Sequence, residues 1–112
     1  MAEQRRAELE RIAGGGGPGA ARARLALGDA PIRQRLRAGI LALAAHRGPG
    51  SSTCPSDAAR AVGGARWRDV MVDARDLARE LARAGKVEIT QRGEVLDPDG
   101  EWRGPIRIRI RP

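Results

Sequence analysis

Apolar residues recur through the middle of the chain at the spacing of one helix face. Trp67, Val70, Met71, Ala74, Leu77, Ala78 and Leu81 fall at i, i+3, i+4 positions, and Gly85 supplies a stop. The pattern predicts one long amphipathic helix with Trp67 in the core at its start. Upstream, Ile32, Leu36, Ile40 and Leu43 mark a second apolar stripe. That helix is expected to be capped by Asp29, to carry Pro31 in its first turn and to end at Arg47–Gly48. Leu41 falls on its opposite face and needs a cover, from the Leu25/Leu27 segment or from a second subunit. Between the two stripes, Pro55, Asp57, Ala58, Ala59 and Val62 predict a short helix with a small packing face, closed by Gly63–Gly64. Such a helix before a tight turn lets two helices approach closely, as a helix-turn-helix requires.

After Gly85 the period changes to two. Val87 and Ile89 share one face of KVEIT, and Ile106, Ile108 and Ile110 alternate with Arg107, Arg109 and Arg111. Arg92–Gly93 and Asp97–Gly100 read as turns, with a brief pairing at Glu94–Leu96 between them. The expectation is therefore an α+β winged helix-turn-helix, a three-helix body plus a β-hairpin wing, over residues 29–112. Residues 1–28 read as a flexible or weakly helical N-terminal tail. Residues 2–13 are good helix formers with only Leu9 and Ile12 as anchors, Gly14–Gly19 is a linker by composition, and Ala20–Gly28 suits a short basic helical turn.

The blocks TCPSDAARAVGG, WRDVM, GKVEIT with QRGEVLDPDG, and RGPIRIRI resemble, in order and spacing, the bacterial family catalogued as domain of unknown function 3253. The resemblance covers Ile32 to Ile110. It implies a winged-helix-like fold and no assigned activity. Some relatives carry a Cys-rich, zinc-type module at the N-terminus, whereas residues 1–31 here contain no Cys.

Composition narrows the chemistry. The 112-residue chain has a formal charge of +7, with Lys86 its only Lys, and it lacks Phe and Tyr. Its core must come from Leu, Ile, Val and Ala, and its charge favours a polyanionic partner. The abundance of Arg, Ala and Gly points to a GC-rich bacterial genome. No apolar run approaches the ~18 residues that cross a bilayer, and no signal or transit pattern is present, so the expectation is a cytoplasmic protein without a membrane partner.

Catalytic residues, a cofactor and a metal site are not expected. One His and one Cys, with no Tyr, leave no nucleophile–base pair, and the glycines fit neither phosphate-loop pattern. Pro98 and Trp102 spoil a calcium-loop reading of Asp97, Asp99 and Glu101. His46, in a last helical turn, complements the helix dipole. Cys54, at a helix start, is read as a small packing residue, with a reactive thiolate as the alternative.

Binding to nucleic acid, most readily duplex DNA as a transcriptional regulator would bind it, is the leading expectation. The residues are Arg66, Arg68 and Arg75 on the second helix of the motif, Arg92 and Arg103 on the wing, and Thr53 and Ser56 at the start of the first. Asp69, Asp73, Asp76 and Glu80 form an acidic stripe beside the Arg stripe, which phosphate would repel. Internal pairs such as Asp76–Arg79, Glu80–Arg83 and Arg107 or Arg109 with Glu88 would also occupy charges. The alternative is a protein-interaction or dimerisation module, with a homodimer as one form.

Overall fold

The computed structural model describes residues 2–112. The predicted stripe of the first body helix becomes α3 (Ile32–Arg47), which buries Leu36, Ile40 and Leu43. Pro31 is its N-cap residue and no side chain caps it, so Asp29 does not play the capping part. The short helix α4 spans Pro55–Gly63 with Pro55 in its first turn and buries Ala58, Ala59, Ala61 and Val62. Gly64 then turns the chain with φ +58, a conformation a Cβ disfavours.

The second helix of the motif starts later than its apolar stripe suggests. Gly64–Val70 is a 3-10 helix with a non-helical break at Arg66, and the α-helix α5 covers Met71–Arg83. The tighter 3-10 winding rotates residues 66–68 away from the face that α5 buries. Trp67 is accordingly half-buried against the edge of the core and does not fill its centre. Ala74, Leu77, Ala78 and Leu81 are buried as the pattern demands. Gly85 (φ +74) ends α5 in a Schellman motif, with Lys86 N–H bonded to Leu81 O and Gly85 N–H to Ala82 O.

Three strands follow: β1 (Val87–Gln91), β2 (Glu94–Val95) and β3 (Arg107–Ile110). The antiparallel sheet has the order β2-β1-β3, so the wing is not one hairpin. The first turn pairs β2 with one edge of β1, and residues 96–106 cross back to place β3 on the other edge. The register sets Ile89 opposite Ile108 and Glu88 opposite Arg109. Thr53 adds a one-residue strand outside β3, exchanging both backbone hydrogen bonds with Ile108. This α+β order, helices followed by a small three-stranded antiparallel sheet, is compatible with a winged-helix-like fold.

Residues 2–28 form packed helices where a flexible or weakly helical tail was expected. Helix α1 (Ala2–Gly14) buries Leu9 and Ile12 and packs on α3, α4 and the short helix that follows it. Helix α2 (Ala20–Leu27) packs on α1 and α3 and buries Ala20, Ala23 and Ala26, leaving Leu25 45% exposed. Small side chains allow the closer helix contact, which is why alanines and not Leu25 face inward. Leu41 is buried within this one chain, so no second subunit is needed to cover it.

What locks α1 is polar. Arg47, the last residue of α3, holds both carboxylate oxygens of Glu8, with Nη2–Oε1 at 2.8 Å and Nε–Oε2 at 3.3 Å. Its Nη1 donates to Asp57 Oδ2 at 2.8 Å and to Ser52 O at 3.1 Å. Thr53 Oγ1 donates to the same Asp57 oxygen at 2.7 Å, and Arg5 to Glu8 at 2.8 Å. Burial alone would raise the Asp57 pKa; the Thr53 hydroxyl and the Arg47 charge outweigh it and hold the carboxyl below its ordinary value.

Candidate nucleic-acid interface

The residues singled out from the sequence do not all reach one surface. Arg66 is exposed and pairs loosely with Asp69 at 3.3 Å, a contact of little energetic weight at that exposure. Arg68 lies over the Trp67 ring, its Cζ 4.5 Å from the centroid. Both stand in the 3-10 segment, off the axis of α5. Arg75 is on α5 and donates to Gly104 O at 3.3 Å. Arg92 and Arg103 are exposed in the wing turns. Ser56 is half-buried, with its Oγ 3.0 Å from Cys54 Sγ. Thr53 is withdrawn altogether. It is fully buried, its hydroxyl is spent on Asp57 and its backbone on Ile108, so it has nothing to offer a phosphate.

The polar side of α5 is largely occupied by its own molecule. Arg79 donates to Pro98 O and Gly100 O and stacks on Trp102, 4.1 Å from the ring centroid. Arg83 pairs with Asp99. The Trp102 ring is half-buried, and its Nε1 donates to Asp97 O at 2.9 Å. The stretch 97–104 thus folds back on α5, with Gln91 Nε2 fastening its far end at Arg103 O and Pro105 O. On the other flank, Arg33 of α3 bridges Asp73 at 2.7 Å and Glu80 at 2.8 Å. The acidic stripe is therefore met from α3, and no Asp76–Arg79 or Glu80–Arg83 pair forms among the described residues. The cross-strand pair does form, with Arg109 2.8 Å from Glu88. What α5 still turns outward includes Asp76 and Val72, the latter 73% exposed, and Asp69 is exposed on the 3-10 segment before it.

An open cleft of about 300 Å³ runs between the first turns of α4 and α5 and the start of β3. Cys54, Pro55 and Ser56 form one side, Met71 and Arg75 the second, and Pro105, Ile106 and Arg107 the third. No carboxylate lines it. Arg107 is anchored by Ser52, to Oγ at 2.9 Å and to O at 3.0 Å, which fixes its stem and leaves further guanidinium donors free. Arg107 escaped the sequence reading as a site residue because strand alternation shows only that it points outward.

A family model described as Protein of unknown function (DUF3253) matches residues 33–111. The chain belongs to the DUF3253 family. The matched DUF3253 region runs from the first turn of α3 to the end of β3, so it contains the helix-turn-helix, the sheet and every wall of the cleft. Helices α1 and α2 precede it. No curated protein matches the chain. No helix among the described residues is long and apolar enough to cross a membrane.

Proposed function

We propose that this DUF3253 domain is a non-enzymatic nucleic-acid-binding module that grips duplex DNA by its phosphate backbone, in the service of transcriptional regulation. The observation that carries the reading is the cleft wall. Arg75 and Arg107 stand on it beside Ser56 with no acid among them, in a chain that holds 14 Asp and Glu. Exposed Arg92 and Arg103 extend the positive surface along the wing. Guanidinium groups suit phosphate oxygens because their planar donors meet two at once. The outward Asp69 and Asp76 disfavour base reading by α5 in a major groove. Backbone contacts, with weak sequence preference, are the expected mode.

The test is a titration of the full chain with random-sequence duplex, single-stranded DNA and RNA across salt concentrations. Binding to duplex should weaken steeply with salt. The double variant Arg75→Gln/Arg107→Gln should reduce the salt slope by about 2 and weaken binding to every sequence alike. Salt-independent binding, or none at low salt, sinks the reading.

A second reading rests on Val72. An apolar side chain exposed between Asp69, Asp73 and Asp76 suits a protein partner better than a phosphate backbone, and winged-helix domains serve both roles. Val72→Arg separates the two: it would abolish a protein contact and leave duplex binding intact.

A further inference from the structure

The corner where α1, α4 and the 3-10 segment meet collects arginines that no carboxylate neutralises. Trp67 is the organising group. Arg60 Cζ lies 4.4 Å from its ring centroid and Arg68 Cζ 4.5 Å, so one aromatic ring holds two guanidiniums. Arg60 is half-buried, and its Nε is enclosed without a hydrogen-bond partner among the described residues. On α1, Arg6 lines with Arg60 a cavity of about 270 Å³ whose other walls are Ala2, Glu3, Gly64 and Ala65. Six arginines of the protein, Arg5, Arg33, Arg47, Arg66, Arg83 and Arg109, make ion pairs. Arg6, Arg60 and Arg68 make none among the described residues, and Glu3 is the single acid in the cavity wall.

We propose that this cavity binds a phosphate group. Two guanidiniums against one carboxylate leave a net positive site, and a phosphate dianion offers oxygens to the outer donors of Arg6 and Arg60. Stacking on Trp67 fixes the plane of Arg60 before the ligand arrives, which reduces the ordering cost of binding. Arg68, against the same ring, adds charge from outside the cavity. The site shares no residue with the cleft of Arg75 and Arg107, so it stands or falls independently of duplex binding.

Trp67 reports on the site directly. In the full chain carrying Trp102→Phe, Trp67 is the only tryptophan, and its emission is followed as sodium phosphate replaces sodium chloride at constant ionic strength and neutral pH. A saturable change in emission is expected, absent with chloride. Arg6→Gln, which leaves the Trp67 stack untouched, should weaken the response by at least about tenfold. Glu3→Gln, which removes the opposing charge, should tighten it. A response no larger than that of chloride overturns the proposal, as does an Arg6→Gln chain that titrates like its parent. A short 5′-phosphorylated oligonucleotide and its unphosphorylated twin then identify the source. Tighter binding of the phosphorylated strand than of inorganic phosphate assigns the group to a nucleic-acid end, and the opposite order assigns it to a small molecule. Arg75→Gln/Arg107→Gln should leave the phosphate titration unchanged, so failure of one reading is distinguishable from failure of the other.

Discussion

Helices α1 and α5 are the same length, 13 residues each, and both lie on the α3–α4 body, yet opposite means hold them there. Helix α5 sinks a continuous apolar stripe, Ala74, Leu77, Ala78 and Leu81, into the core. Helix α1 buries only Leu9 and Ile12 as large apolar groups and adds a carboxylate, Glu8, that Arg47 receives from 39 residues away. Beside its two anchors, α1 is held by the Arg47 ion cluster. An apolar stripe positions a helix through many small contacts, whereas a buried ion cluster concentrates the task in one side chain.

The sharpest way to break this contrast is Arg47→Met. It leaves Asp57 without its cation and Glu8 with Arg5 alone, and removing one partner of a buried ion pair costs about 3–5 kcal/mol. Urea denaturation should show that loss, and a loss below about 1 kcal/mol would mean that the cluster carries no weight. Glu8→Ala should cost less, about 1–3 kcal/mol, but its distribution matters more. Amide hydrogen exchange should accelerate through α1 and stay unchanged through α5. Equal acceleration in both helices would show that they unfold together and that the contrast is only geometrical.

Acid offers a milder perturbation. The folded pKa of Asp57 lies below its ordinary 3.8, so its contribution is present above that value and is lost as pH falls through the lowered one. Stability of the parent should exceed that of Asp57→Asn most at neutral pH, and the gap should narrow below about pH 4. A gap that stays constant down to pH 2 would assign the effect of the substitution to packing. The smallest expected change comes from Gly39→Ala in α3, beneath neither α1 nor α5. A methyl there would meet Val62, Ala26 and Ala58 at 3.5, 3.7 and 3.8 Å, ordinary contact distances. It should stabilise by up to about 1 kcal/mol. A clear loss would reveal a tighter α2–α3–α4 crossing than those distances imply.

The same contrast explains what the sequence disclosed. Leu36, Ile40 and Leu43, the stripe of α5, Pro55 at the head of α4, Ile108 in β3 and Ile106 just before it were all legible, because periodicity reports which side of an element is buried. An arginine of the last strand opposite Glu88 was legible too, but Arg107 and Arg109 share a face, and only the register picks Arg109. Residues whose role depends on a distant partner were not. Thr53 looks like a free hydroxyl until β3 pairs with its backbone, and Arg79 looks like a solvent-facing helix residue until Trp102 covers it. Nothing in AEQRRAELERIA announces that Glu8 will meet Arg47. Trp67 misled for a local reason. Its spacing suits an α-helix, but Gly63–Gly64 tightens the following turns and swings the ring to the rim, where Arg60 and Arg68 hold it.

The glycine-rich bridge between α1 and α2 has a competitive consequence. The link is the five residues Gly15–Gly19, and a flexible chain of that length has a root-mean-square span of about 11–13 Å. A released α1 therefore remains at millimolar or higher effective concentration around its own seat. An outside molecule seeking the ground under α1 contends with a rival that never diffuses away, so its observed affinity would fall short of its intrinsic one. Cutting the chain at Gly16 and diluting would free that seat without altering any residue that forms it.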